Sequence, residues 1–335
     1  GEALMVIHAA GIVSISSQVC PVESLKDPYW DQAAQLYFQA LLGYTLECLP
    51  REECNLLSVA KLSELIGSQT LDQMFRELSE IDPDGFTISR YRSMMRLRAA
   101  DRTDACVRHM LDKQLLPLSY SAMEQVFTNP KQINFRKLGQ QKTAVFLTVS
   151  DTDRSKDGLV NLFYAQAFQH LVAYADQNSP SCALPVPVRF LFDDFATNTV
   201  IPNFDNLISV IRSRNISVSL IIQSLSQLES LYDHAKSQTI LNNCDNLLYL
   251  GGQDLQTAQY ISTRLNKTVQ TVLNMPRENA FFFQQGHRPV QCEKYIPEEH
   301  PQYQELLHAN TNYVKLGSWS KSSGSQKGEN EYESI

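Results

Sequence analysis

The stretch Arg189-Phe190-Leu191-Phe192-Asp193-Asp194-Phe195-Ala196, RFLFDDFA, is an apolar run that ends in two adjacent carboxylates. With its lead-in it reads VPVRFLFDD, a short segment of branched and aromatic residues bounded by proline and acid, which is the pattern of a strand. In nucleotide hydrolases of the P-loop kind such a strand delivers an acid that holds Mg²⁺ directly or through water. A second acid beside it polarises the attacking water. Asp193 fits the first role and Asp194 the second. The same pattern also describes a plain strand end that caps the next helix, so the neighbouring segments have to discriminate.

Working outward, Phe204, Leu207, Ile208 and Ile211 recur at i, i+3, i+4 and i+7 and predict a helix. ISVSLIIQS (216–224) follows as a strand and ends in Gln223, the kind of polar side chain that a RecA-type ATPase uses to sense the γ-phosphate. Between the two lies IRSRNI, with Arg212 and Arg214 just past the helix. An arginine placed there can reach a phosphate across a subunit boundary and offset transition-state charge. Surface solubility explains both arginines equally well by spacing. TAVFLTVS (Thr143–Ser150) predicts an earlier buried strand, and Leu159, Leu162, Phe163, Phe168 and Leu171 a helix over 158–175. Leu225, Leu228, Leu231 and Tyr232 mark another helix. NLLYLGG (246–252) reads as a strand, a helix begins near Asp254, and AFFFQQG (280–286) closes the series. Strands alternating with helices predict an α/β fold with a parallel sheet covered on both faces. Its sites belong at the carboxyl ends of the strands.

The first third reads differently. Pro28 suits the first position of a helix over Lys26–Leu49 that Asp27 can cap, and Trp30, Ala34, Tyr37, Leu41 and Tyr44 line one apolar face. From Asn55 to about Lys137 the pattern stays helical, broken by Asp82-Pro83-Asp84-Gly85. Ser89–Lys113 is the most basic stretch, with Arg90, Arg92, Arg96, Arg98, Arg102, Arg108 and Lys113 against Asp101, Asp104 and Asp112. It suits contact with phosphate or an acidic partner, and equally a solvated helical face. The whole chain of 335 residues has net charge -7, which argues against a protein coated in basic surface for gripping duplex DNA. Seven scattered cysteines without a CxxC pair read as reduced thiols, not as a zinc site or disulfide frame. No apolar run is long enough for a membrane helix, and the opening GEALMVIHAAGIVSISSQ has no basic n-region of a signal peptide. The tail from Gly317, almost all Ser, Gly and charge, predicts disorder.

The run VPVRFLFDDFATNTVIPNFDNLISVIRSRNISVSLIIQSLSQLESLYDHAKSQTILNNCDNLLYLGGQDLQTAQYIS resembles the TraG/TraD family of conjugative type IV secretion coupling proteins, in the form found in Gram-positive mobile elements. The likeness extends back through QQKTAVFLTVSDTDRSKDGLVNLFYAQAFQHLVAYAD to KDPYWDQAAQLYFQALLGYTLE and covers roughly residues 26–304. It implies a RecA-like P-loop-type α/β core with an inserted all-α domain. The boundaries are then 1–54 for the first part of the core with the DPYW helix, 55–137 for the all-α domain, 138–304 for the rest of the core, and 305–335 for a tail. It further implies a DNA-translocating ATPase with ATP and Mg as cofactors, forming a homo-hexamer at the cytoplasmic, inner face of the cell membrane. Its partners would be a relaxase or relaxosome, single-stranded DNA and components of the type IV secretion channel, with the all-α domain facing the relaxosome. Carried over by position, Asp193 would organise Mg through water, Asp194 would be the catalytic carboxylate, Gln223 the sensor, and Arg212 and Arg214 candidates for an intersubunit finger.

The chain departs from the family in three places. Where the family reads Asp-Glu-Phe-Ala, this chain has Asp193-Asp194-Phe195-Ala196. Aspartate is one methylene shorter, and a misplacement of about 1 Å can cost about a hundredfold in rate. The Walker A loop GxxxxGK[ST] occurs nowhere in the 335 residues; SKSSGSQKG (320–328) has the wrong spacing and no strand before it. After YISTRLNKTVQ the chain also lacks the family's longer insert. A truncated homologue and a fragment of a longer protein both remain open. The alternative reading is therefore a non-hydrolysing homologue that acts as a substrate-docking or adaptor module. An unrelated doubly wound enzyme would need a nucleophile or base near Asp193, and the sequence offers no such motif.

Overall fold

The strand expected over VPVRFLFDD forms. In the computed structural model β1 (Val188–Phe192) pairs in parallel with β2 (Ile216–Leu220), with Val188 opposite Ile216 and Phe192 opposite Leu220. The structure describes residues 9–22, 27–118, 126–129, 133–149, 157–178, 180–195, 200–303, 305 and 307; the expected tail from Gly317 and Ser150 lie outside them. Residues 1–244 and 245–335 form two units.

Within the first unit, a helical body comprises α1 (Ala9–Val19), α2 (Tyr29–Cys48), α3 (Leu56–Glu64), α4 (Gln69–Ile81), α5 (Phe86–Arg98) and α6 (Asp101–Leu115). Pro28 is the cap residue of α2 and makes no side-chain cap bond. Helix α2 buries Tyr37, Phe38, Ala40, Leu41 and Leu42, residues that point in several directions around its axis. A helix apolar on more than one side has to be wrapped by others. Accordingly α2 packs on α1, α3, α5 and α6, and its buried face shares one core with theirs.

Several polar groups inside this body are paired, although the Nε atoms of Arg90 and Arg108 are buried without a hydrogen-bond partner among the described residues. Tyr37 donates to Asp104 Oδ1 at 2.8 Å, and Arg108 donates to Asp104 Oδ2 and, at 3.2 Å, to the Ile66 carbonyl. Asp72 accepts from Tyr91 at 2.7 Å and from Arg98 at 2.9 Å. The guanidinium of Arg90 lies 4.7 Å from the ring centroid of Phe86. Three arginines of the basic stretch thus serve internal contacts, while Arg92, Arg96, Arg102 and Lys113 are exposed.

The remainder of this unit is the α/β part, with α7 (Phe135–Leu138), α8 (Asp157–Gln177), α9 (Phe204–Val210) and α10 (Leu225–Asn242). Phe190 and Phe192 of β1 turn toward Phe168 of α8, at centroid distances of 4.1 and 6.5 Å. Phe195, Phe204, Ile208, Leu228 and Tyr232 complete the core. Helix α10 is bent at Asp233, whose φ of 59° breaks the helix; its carboxylate then accepts from the Lys236 amide at 3.0 Å and starts the second half. Helix α1 meets α8 through amides and hydroxyls: Gln166 donates to Gln18 at 3.0 Å, and Ser14 to Gln169 at 3.3 Å.

Two expectations are corrected here. Helices pack on one face of β1, while on the other Arg189 and Leu191 are exposed, Leu191 to 68%. Residues 143–149 form no strand. They run beside β1 and line a groove of about 530 Å³ with Leu191, Phe163 and Tyr164, leaving Phe146 89% exposed. Strand-forming side chains set a preference, but a ladder needs a hydrogen-bonded neighbour.

The second unit is a sheet of β3 (Asn246–Tyr249), β4 (Asn279–Gln284) and β5 (Val290–Glu293), paired antiparallel throughout, with α11 (Leu255–Leu265) and α12 (Val269–Leu273). Among the described residues the parallel arrangement expected for every strand therefore holds only for β1 and β2. Tyr249, Phe281 and Phe283 pack on Ala258, Ile261 and Val272. Asp254 caps α11 by accepting from the Thr257 amide at 2.8 Å. No helix among the described residues is long and apolar enough to cross a membrane.

Two measurements check this packing. Gly43 of α2 faces Thr87 of α5, and a Cβ there would collide with the Thr87 hydroxyl, which donates to Glu47 at 2.6 Å. Gly43→Ala should therefore lower unfolding stability in urea by about 1–3 kcal/mol. His170 stacks on Phe135 of α7, with centroids 5.9 Å apart, and burial together with the nearby Arg136 charge depresses its pKa. A base held neutral by the fold stabilises above its unfolded pKa of 6.5, and that stability is lost as pH falls toward the lower folded value. His170→Phe should flatten the acid-side decline in melting temperature between about pH 7 and pH 5.

Candidate active site

At the carboxyl end of β1 the chain must turn sharply so that Phe195 can return to the core, where it is 1% exposed. Asp194 makes that turn with φ 48°, in the left-handed region that Asp tolerates better than most residues. Two main-chain bonds fix the turn to the end of β2. The Ile221 amide donates to Phe192 O and the Phe195 amide donates to Ile221 O, each at 2.9 Å. Asp193 and Asp194 are thereby held outward and exposed.

Past Ile221 the chain reaches Gln223 and then Ser224, which caps α10 by accepting from the Gln227 amide at 3.2 Å. Gln223 Nε2 donates to Asp194 Oδ1 at 3.3 Å, and Gln227 Nε2 donates to Gln223 Oε1 at 3.3 Å. Three of the sequence-derived site residues, Asp193, Asp194 and Gln223, thus stand together. Gln227 and the main chain of Ile221 were missed. The signal for Gln227 was its place four residues after Gln223, at the first turn of the next helix.

Arg212 and Arg214 stand elsewhere. They precede β2, whereas the acids follow β1, so parallel pairing puts them at opposite ends of strands spanning roughly 16 Å. Arg214 Nε pairs with Asp176 at 2.8 Å, and its Nη1 donates to Val210 O at 2.9 Å. The Arg214 carbonyl accepts from the Leu184 amide at 3.0 Å. Arg212 is exposed. The parallel pairing thus separates both arginines from Asp193 and Asp194 of the same chain.

Residues 187–280 match the family model described as "TraM recognition site of TraD and TraG". The match begins one residue before β1 and takes in both acids and Gln223. Through this segment the chain is similar to the TraG/TraD family. Protein VirD4 of Agrobacterium fabrum (strain C58) is 25% identical over 189 residues, 56% of this chain and 28% of that protein. Protein VirD4 of Rhizobium rhizogenes is 27% identical over 140 residues, 42% of this chain and 20% of that protein. The chain spans less than a third of the length of these curated relatives. Among solved structures, the plasmid coupling protein TrwB in complex with the ATP analogue ADPNP superposes with a TM-score of 0.65 at 14% identity, covering 88% of this chain and 71% of that one. TrwB in complex with ADP and Mg²⁺ gives 0.63, again at 14% identity, covering 88% of this chain and 70% of that one. The fold is the RecA-like α/β core with an all-α domain.

The residues present fit one half of a nucleotide site. Two exposed carboxylates at a strand end suit a hard divalent cation, held through water, and a reacting water beside it. The other half, a GxxxxGK[ST] cradle for the phosphates, is not among the 335 residues.

The turn makes its own prediction. Asp194→Asn keeps an acceptor for Gln223 and a residue that tolerates positive φ, and should leave the thermal unfolding free energy within about 0.5 kcal/mol. Asp194→Val should cost about 1–3 kcal/mol, because a β-branched residue is strained there.

Proposed function

We propose that this chain is a cytosolic part of a conjugative type IV secretion coupling protein, which links relaxase-bound single-stranded DNA to the secretion channel by hydrolysing ATP at the inner face of the membrane. The observation that carries the reading is the hydrogen bond between Gln223 and Asp194, which joins the ends of two parallel strands on which a RecA-type ATPase keeps its acid and its sensor. The TrwB neighbours, solved with ADPNP and with ADP and Mg²⁺, support nucleotide and Mg as the ligands. The family description of residues 187–280 supports a relaxosome protein as a partner. The all-α region 55–137 is the proposed face for the remaining substrate contacts, and a homo-hexamer is the proposed assembly.

In this reading Asp193 would hold a Mg ion, which would supply charge neutralisation at the phosphates. Asp194 would accept a hydrogen bond, and then a proton, from the attacking water through Oδ2, the carboxylate oxygen that Gln223 does not occupy. Gln223, hydrogen-bonded to Asp194 and just before α10, would carry the loss of the γ-phosphate to the start of that helix. Arg212 and Arg214 are both candidates for the intersubunit finger.

Mg-ATP turnover by the full-length gene product tests the reading. Asp194→Asn should lower kcat by about 10²–10⁴-fold without changing the melting temperature. Turnover unaffected by that change would overturn the catalytic assignment. Absence of Mg-ATP binding would instead favour the docking-module alternative.

A further inference from the structure

We infer that Gln227 is a positioning residue that fixes the side-chain amide of Gln223, so that its N–H, and not its C=O, faces Asp194. The inference rests on the ATPase reading only for its effect on turnover; the hydrogen-bond relay itself stands on geometry.

The polarity of the relay follows from chemistry. An ionised Asp194 only accepts hydrogen bonds, so Gln223 has to present its N–H₂ to it, as it does at 3.3 Å. The Gln223 Oε1 then points away and calls for a donor. Gln227 Nε2 supplies one at 3.3 Å. Without that donor the Gln223 carbonyl loses its partner and the amide is held at its N–H₂ end alone, on a last torsion that is broad and roughly two-fold.

The ordinary structural role for Gln227 is not the one it plays. Ser224-Leu225-Ser226-Gln227 has the spacing of a capping box, in which the first serine accepts from the fourth amide and the fourth side chain returns to the serine amide. The first half is formed, with Ser224 Oγ accepting from the Gln227 amide at 3.2 Å. The return bond is not. Gln227 Oε1, the atom that would make it, is buried and has no hydrogen-bond partner among the described residues. A buried acceptor left unpaired is unfavourable, and departures of this kind collect at functional sites. Gln227 gives up the cap to hold Gln223.

Two variants separate positioning from packing. Gln227→Met keeps the volume and removes the donor. Gln227→Glu keeps the shape but only accepts, so it draws the Gln223 N–H₂ away from Asp194 and turns the amide over. In NMR spectra of the ¹⁵N-labelled chain 1–335, the Gln223 side-chain amide signals should shift in Asp194→Asn and in both Gln227 variants, most in Gln227→Glu. Unmoved Gln223 signals in both Gln227 variants overturn the inference, whatever the activity. With the full-length gene product, if wild-type turnover is present and Asp194→Asn abolishes it, Gln227→Met should lower kcat about tenfold with KM for ATP unchanged, and Gln227→Glu should lower it further. Unchanged kcat in both variants overturns the positioning role while the ATPase reading stands. Absence of wild-type turnover removes the ATPase reading, and the amide signals alone then decide the relay.

Discussion

Two main-chain hydrogen bonds to Ile221 determine where the acids of this protein stand. One closes the parallel ladder beyond the last residues of β1 and β2, and the other catches the Phe195 amide as the chain turns back. The turn between them has no room for a wider loop, which is why Asp194 adopts a positive φ. Phe195 then anchors the turn from below, packed near Phe192, Phe204 and Tyr232. A wholly buried aromatic on one side of the turn and a backbone tie on the other leave the carboxylates a single direction, outward.

The helical body follows a different logic. Its central helix is apolar on several sides, and the charges it does bury come with partners. Asp104 keeps Tyr37 and Arg108, while Asp72 keeps Tyr91 and Arg98. Losing one member of such a set leaves its partly buried partners unpaired, which is unfavourable. By contrast the meeting of α1 with α8 uses uncharged amides and hydroxyls at its exposed edge. Such contacts exchange with water at little free-energy difference, so the two parts of the first unit are joined more softly there than either is held internally.

Much of the site was legible because its residues are local to strand ends. An apolar run ending in acid, and a second run ending in glutamine, announce themselves in one dimension. What needed three dimensions was the pairing partner. Periodicity gives β4 the same pattern whether its neighbours run parallel or antiparallel, so AFFFQQG could not reveal the antiparallel sheet. Composition makes TAVFLTVS strand-like, yet no ladder neighbour engages residues 143–149. Arg98 looked like one more surface charge, because its carboxylate lies 26 positions away. Gln227 escaped notice for a subtler reason: its value lies in which way it turns the amide before it.

The tie at Ile221 uses no side-chain atom. Any residue other than proline offers the same N–H and C=O, so the 221 side chain is free to drift without moving the carboxylates. A site located by main chain in this way is robust to sequence turnover: the geometry that aims the acids is inherited with the fold itself, not with the identity of the residue that enforces it.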